Sequence, residues 1–193
     1  MKIVTVNVLF IFSALMACHS NKNYTIAKSV KADTAKFFPL AAFFKSQIQY
    51  VDLRNFPIYK ITLEDGKKDS VSLNKEAFIS WAGIFIKKSI DDPTIKGLYT
   101  ETVFHDLSTA SYTLNYTTSD TAAQVRNIDI LLDDETNNVK RIFIKSLYKR
   151  GDTSIEEQCN WKAFKSFQVN RSLQTHNGYN GTSLNYINWN DKP

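Results

Sequence analysis

The chain has 193 residues, 43% hydrophobic, 22% charged and 13% aromatic, with 6 Gly, 4 Pro and 2 Cys. This excludes collagen, low-complexity sequence, a disulfide-stapled miniprotein and a disordered chain, each of which needs a composition far from this one, and the length suits one domain. The formal charge of +5 is the balance of opposing blocks: residues 21–90 hold 12 basic and 6 acidic side chains, 91–138 hold 2 and 9, and 139–171 hold 8 and 3.

Lys2 precedes an apolar run from Ile3 to Leu15, broken only by Thr5, Asn7 and Ser13. The run is too short to span a bilayer stably and has the form of a signal peptide. It ends in Leu15-Met16-Ala17-Cys18. This motif resembles the lipobox of bacterial lipoproteins, a family in which the cysteine is acylated and the peptide before it is removed. The resemblance covers about the first twenty residues. It implies that residues 1–17 are a lipoprotein signal peptide and that Cys18 is the lipidated first residue of the mature chain. Residues 18–31 are polar and basic and read as a flexible tether. Several acyl chains anchor stably where one binds only marginally, so the membrane is the expected partner of the N-terminus. No Asp and no acidic cluster follows Cys18, which by the family's sorting rules implies the periplasmic face of the outer membrane.

Residues 32–193 read as one α+β domain. Pro39 suits the first position of a helix, where its missing N–H costs nothing. Leu40, Phe43, Phe44, Ile48 and Val51 then recur at helical spacing, with Lys45, Gln47 and Gln49 on other faces, which predicts a helix over 39–53. A second helix is capped by Asn74, has Glu76 in its first turn, carries Phe78, Ile79, Trp81, Ala82, Phe85 and Ile86, and is stopped by Asp91-Asp92-Pro93. Between the helices, 58–63 and 70–73 flank an Asp65-Gly66 hairpin signal. Beyond the second helix the apolar period changes to two, predicting strands at 99–104, 110–117, 125–132, 139–148, 153–164, 167–173 and 184–189. Their connections are short, so neighbours run antiparallel. The expected fold is α+β, with two N-terminal helices packed on a long, curved antiparallel β-meander.

Within 139–148, Ile142 and Ile144 point one way while Phe143 and Leu147 point the other. A strand apolar on both faces is covered twice or lines a cavity in a curved sheet, so Phe143 and Leu147 are the candidate face for an apolar ligand or partner. Lys140, Arg141, Lys145, Lys149, Arg150, Lys162 and Lys165 are the candidate surface for an anionic partner, whether an envelope protein, a lipid or a polyanion. Such an attraction weakens as salt rises. Solvated strand faces whose charges keep edges from aggregating account for the same residues. An exported lipoprotein does not normally meet nucleic acid, so no nucleic-acid partner is expected.

With Cys18 lipidated, Cys159 has no intramolecular partner, which excludes a disulfide framework. The alternation of 153–161 puts Cys159 on one face with Ile155 and Trp161, as a buried, inert thiol. His19, His105 and His176 are isolated, with no His or Cys pair at metal spacing, and no metal is assigned. His105-Asp106 has no Gly-x-Ser-x-Gly to supply a nucleophile, and Ser72 to Lys75 and Ser146 to Lys149 lack the partner motifs of penicillin-recognising enzymes. The acidic loop 133–138 lacks the glycine and the alternating ligands of a calcium loop. Tyr179, Tyr186 and Trp189 read as an edge strand covering the core, with a sugar platform as the second reading. No catalytic residue and no cofactor is assigned. The expected function is a non-enzymatic binding or structural role in the cell envelope. The alternatives are a carrier for lipid or another apolar ligand in a half-barrel, and an envelope hydrolase whose site has no recognisable motif.

Overall fold

Residues 37–191 are described by a computed structural model; the signal peptide, Cys18 and the tether lie outside the described residues. The first helix, α1, spans Leu40–Arg54 and buries Leu40, Phe44, Gln47 and Val51, spaced three or four apart along one stripe. Pro39 sits one position earlier than expected, as the residue preceding the helix. The helix stops at Asn55, whose φ of 51° places it in the left-handed conformation that asparagine tolerates at helix ends. Gln47, expected on a solvent face, is buried instead. Its amide is needed inside, as the core contacts below make clear.

The second helix, α2, spans Lys75–Ile86, and the Asn74 side chain accepts a hydrogen bond from the Ala77 N–H at 2.9 Å. Phe78, Ala82 and Phe85 form its buried stripe. The Asp91-Asp92-Pro93 segment, expected to stop this helix, lies beyond its end at Ile86 and starts another. Asp92 accepts from the Thr94 N–H at 2.8 Å and caps a third helical turn, α3, over Pro93–Lys96. Proline is tolerated at the first helical position for the reason already applied to Pro39. The described residues therefore carry three helices, one more than the alternation of apolar residues predicted.

Nine strands form one antiparallel sheet: β1 (Ile58–Glu64), β2 (Lys67–Leu73), β3 (Thr100–Asp106), β4 (Ser111–Thr117), β5 (Val125–Asp133), β6 (Val139–Arg150), β7 (Thr153–Lys162), β8 (Ser166–Thr175) and β9 (Asn180–Asn188). Their order is β2-β1-β9-β8-β7-β6-β5-β4-β3. From β3 to β9 this is the expected meander. The β1–β2 hairpin, closed by Asp65 and Gly66 with positive φ, then joins the far side of β9. That pairing corrects one reading of the tail: β9 is interior, held by β8 on one side and β1 on the other, and the edges are β2 and β3.

The two faces of the sheet differ sharply. Ile128 and Ile130 of β5, Ile142 and Ile144 of β6, Cys159 and Trp161 of β7, Phe167 and Val169 of β8 and Ile187 of β9 all lie on one face, and each is almost fully buried. The buried stripes of α1 and α2 complete this core. Trp161 is at its centre. Its ring stacks on Phe167 at 4.8 Å and meets Phe85 at 4.9 Å, Phe44 at 5.2 Å and Trp189 at 5.6 Å. Each large apolar side chain fully buried here contributes about 1.5–3 kcal/mol. Gln47 spans the seam, its carbonyl accepting from the Phe164 N–H at 2.7 Å and from Trp161 Nε1 at 3.4 Å. Helix and strand side chains thus meet in one apolar core between the two layers. Among the described residues no helix is long and apolar enough to cross a membrane.

Candidate functional site

The opposite, open face is built by register. Asn115 of β4 faces Asp129 of β5, which faces Phe143, then Asn160, Gln168 and Tyr186 on β6 to β9. One row along, Asn127 faces Lys145, Gln158, Asn170 and Leu184. Because alternate residues of a strand share a face, these side chains stand together although they come from segments spread over 70 residues of sequence. Amides make up three of the six residues in the first row and three of the five in the second.

Two adjoining clefts open between them. One, of about 330 Å³, is lined by Asn127, Phe143, Lys145, Gln158, Asn160, Gln168 and Asn170. The other, of about 120 Å³, is lined by Arg141, Asn160, Lys162, Ser166, Gln168, Tyr186 and Asp191. Asn160 and Gln168 belong to both. The Oδ1 atoms of Asn160 and Asn170 are buried without a hydrogen-bond donor from the described residues. An unpaired buried acceptor costs about 1–3 kcal/mol, so most proteins supply a partner.

The seven basic residues singled out in the sequence do not form one patch. Arg141, Lys145, Lys149 and Lys162 lie on the open face, whereas Lys140 turns to Asp133, 3.1 Å away, Arg150 is the exposed last residue of β6 and Lys165 is exposed in the β7–β8 turn. Lys145 pairs with Glu156 at 3.0 Å and Lys162 with Asp191 at 2.6 Å. Lys149 lines a separate polar hollow with Asp152, Gln174 and His176 at the far end of the sheet. The charge is therefore largely matched where it meets the amide clefts.

Phe143 and Leu147 do share the open face and are 39% and 43% exposed. They do not make one apolar surface. Four residues of strand separate them by about 13 Å, Lys145 stands between, and Leu147 lines another cleft with Thr121, Gln124 and Arg126. Phe143 is set among amides. The described residues place no second layer over this side, and Phe143 and Leu147 each line an open cleft on it.

One cluster escaped the sequence reading. On the helix-covered face, the Lys88 ammonium lies 2.7 Å from Glu157 Oε1 and donates to Ser146 Oγ at 2.9 Å, while Arg171 Nε donates to Glu157 Oε2. Glu157 is only 2% exposed. Burial works against its charge, but the hydrogen bonds and charges of Lys88 and Arg171 outweigh that and hold the carboxyl below its ordinary range. The alternation that placed Cys159 inside placed Glu157 there too, two residues earlier, and this was the available signal. Cys159 itself is buried, and burial followed by the nearby Glu157 charge pushes its thiol up to about 12, far from the range of a nucleophile.

The remaining motif candidates resolve into local structure. His105 stacks on Tyr112 at 4.1 Å and faces Asp134 at 3.4 Å, while Asp106 accepts from Ser108 and Thr109 and shapes the β3–β4 turn. Asp133 accepts from the Thr136 N–H and hydroxyl in the β5–β6 turn, and these bonds with Lys140 hold its carboxyl down to about 2. Among the described residues no three His, Cys, Asp or Glu side chains gather as metal ligands. Trp189 is core, Tyr186 faces the amide cleft and Tyr179 is exposed in the β8–β9 turn. The chain matches no family model, and comparison with curated proteins and with solved structures returns no match.

Proposed function

We propose that this protein is a lipid-anchored envelope protein, held through Cys18 at the periplasmic face of the outer membrane, whose domain performs a non-enzymatic binding role through the open face of its sheet. The observation that carries this reading is the asymmetry of the sheet. One face is packed with apolar side chains from two helices, and the other presents clefts lined by amides around a half-exposed Phe143. A filled interior argues for a ligand taken on the surface, against one carried inside the fold. The lipobox and the tether after it supply the means of holding that surface near the membrane.

Two measurements test the reading in the host cell. Cys18→Ala removes the acylation site, and the domain is expected to leave the membrane fraction for the soluble one; retention of acyl label and of membrane association by this variant sinks the anchor. Phe143→Asp places a charge in the cleft without touching the core. A strain lacking the protein is expected to be restored by the wild-type chain and not by Phe143→Asp, and full restoration by that variant would exclude the open face as the working surface.

A further inference from the structure

We propose that the amide clefts of the open face bind an uncharged oligosaccharide. This rests on the open face being the binding surface and names what it takes. Asn127, Asn160, Gln168 and Asn170 each offer an N–H₂ donor and a carbonyl acceptor on neighbouring atoms, the pairing that adjacent sugar hydroxyls, themselves donors and acceptors, can satisfy two at a time. Among the described residues the side chains of Asn160, Gln168 and Asn170 make no hydrogen bond to the protein, and the buried carbonyl oxygens of Asn160 and Asn170 lack a donor. The terminal torsion of Asn and Gln turns broadly, so either end of each amide can be brought to a ligand at small cost.

Phe143 supplies the apolar element that sugars need. Its ring carries a negative face that attracts the C–H side of a pyranose, and it stands 39% exposed directly beside Asn160 in the register. Tyr186 closes the other end of the row, three strands away. Neighbouring strands are about 4.8 Å apart, so the row from Phe143 to Tyr186 spans about 14 Å, long enough for more than one sugar ring.

Charge and topology select against the other classes. Lys145 and Lys162 on this face are paired, with Glu156 at 3.0 Å and with Asp191 at 2.6 Å, and Arg141 is the one cation lining the clefts that has no ion pair among the described residues. The clefts thus offer a polyanion little net attraction. A peptide that adds as a strand needs unpaired backbone at a sheet edge, but β6, β7 and β8 are interior and fully paired. A lipid chain needs a continuous apolar lining, whereas here five amides and Lys145 interrupt the apolar surface around Phe143.

The test is titration calorimetry of the full lipidated chain in detergent micelles. The probes are uncharged hexasaccharides of glucose, mannose, galactose and N-acetylglucosamine, with polygalacturonate and an uncharged extended peptide as the other arms. The expected result is saturable binding of at least one uncharged hexasaccharide, unchanged between about 50 and about 500 mM salt because no charge pairing is involved. Phe143→Ala and the double variant Asn160→Ala with Gln168→Ala are each expected to weaken it about tenfold while the thermal midpoint stays near wild type. Binding of the peptide alone overturns the proposal, as does failure of every uncharged sugar to bind. Polygalacturonate binding that fades with salt and is lost with Arg141→Ala overturns it in favour of the basic residues. In each of these cases the open face remains the working surface if Phe143→Asp still fails to restore the deletion strain, so the saccharide and the surface fail separately.

Discussion

Lys88, just beyond the end of α2, places its ammonium 2.7 Å from the carboxylate of Glu157 on the buried face of β7. The pair ties the helix layer to the middle of the sheet, and Arg171 from β8 completes it. Breaking a buried pair by removing one partner leaves an uncompensated charge and costs about 3–5 kcal/mol. Glu157→Gln is therefore expected to lower stability by about that amount at neutral pH, measured by urea unfolding. The pH dependence has a fixed sign. The folded carboxyl titrates below the ordinary value of 4.5, so its contribution is complete above that value and is lost as pH falls through the lower, folded value. Wild-type stability should fall more steeply than that of Glu157→Gln below about pH 4.5; parallel curves would show that Glu157 is not charged in the fold.

Cys159 is next to this cluster and titrates up to about 12. At pH 8 almost none of it is thiolate, and its sulfur is covered by the core. In a chain carrying Cys18→Ala, a disulfide reagent at pH 8 should label Cys159 only as fast as the protein opens, and at once in denaturant. Fast labelling of the folded chain would mean a thiolate that the buried environment does not permit.

The alternation of single residues made the strands legible, because burying one face of a strand writes itself into every second position. The expected 125–132 became Val125–Asp133 and the expected 139–148 became Val139–Arg150, and Asn74 caps α2 as its side chain predicted. What stayed hidden depended on partners distant in sequence. The pairing of β1 with β9 joins residues more than a hundred positions apart, and no local pattern announces it. Pro93 reads as a stop because proline ends helices, yet α2 ends earlier, at Ile86, and Asp92 with Pro93 starts α3. Gln47 reads as a solvent residue because the Phe164 N–H that its carbonyl accepts lies 117 positions away. The amide clefts were illegible for the same reason: Asn127, Asn160 and Asn170 look like ordinary polar strand residues until register lines them up.

Gln47 and Trp161 offer a test of how the helix layer is locked to the sheet. Replacing Gln47 with Leu keeps the volume roughly but removes the acceptor of the Phe164 N–H and of Trp161 Nε1. Leaving such groups unpaired in the core costs about 1–3 kcal/mol. The variant should melt several degrees lower with the same far-ultraviolet spectrum, and Trp161→Ala, which empties the centre of the aromatic cluster, should cost more, about 3–5 kcal/mol. If Gln47→Leu instead stabilised the protein, apolar filling would outweigh the two hydrogen bonds and the amide would have no structural need to be there.

Ile144 and Phe143 are consecutive residues on β6 with opposite fates: Ile144 is 1% exposed under the helices and Phe143 is 39% exposed among the amides. A one-residue change in strand register would exchange them, so the pair tests the face assignment on which the functional reading stands. Truncating Ile144 to Ala removes core contacts and leaves a cavity, which should cost about 2–5 kcal/mol. Truncating Phe143 to Ala removes a side chain that is 39% exposed and outside the core and should cost much less, about 0.5–1 kcal/mol. Urea unfolding of the two variants side by side gives the answer without any knowledge of the ligand. Equal losses would mean that Phe143 is packed against something structural and is unavailable to a partner. A large loss confined to Ile144 would leave Phe143 free of any part in holding the fold, and a defect of Phe143→Ala in cells would then have to come from binding.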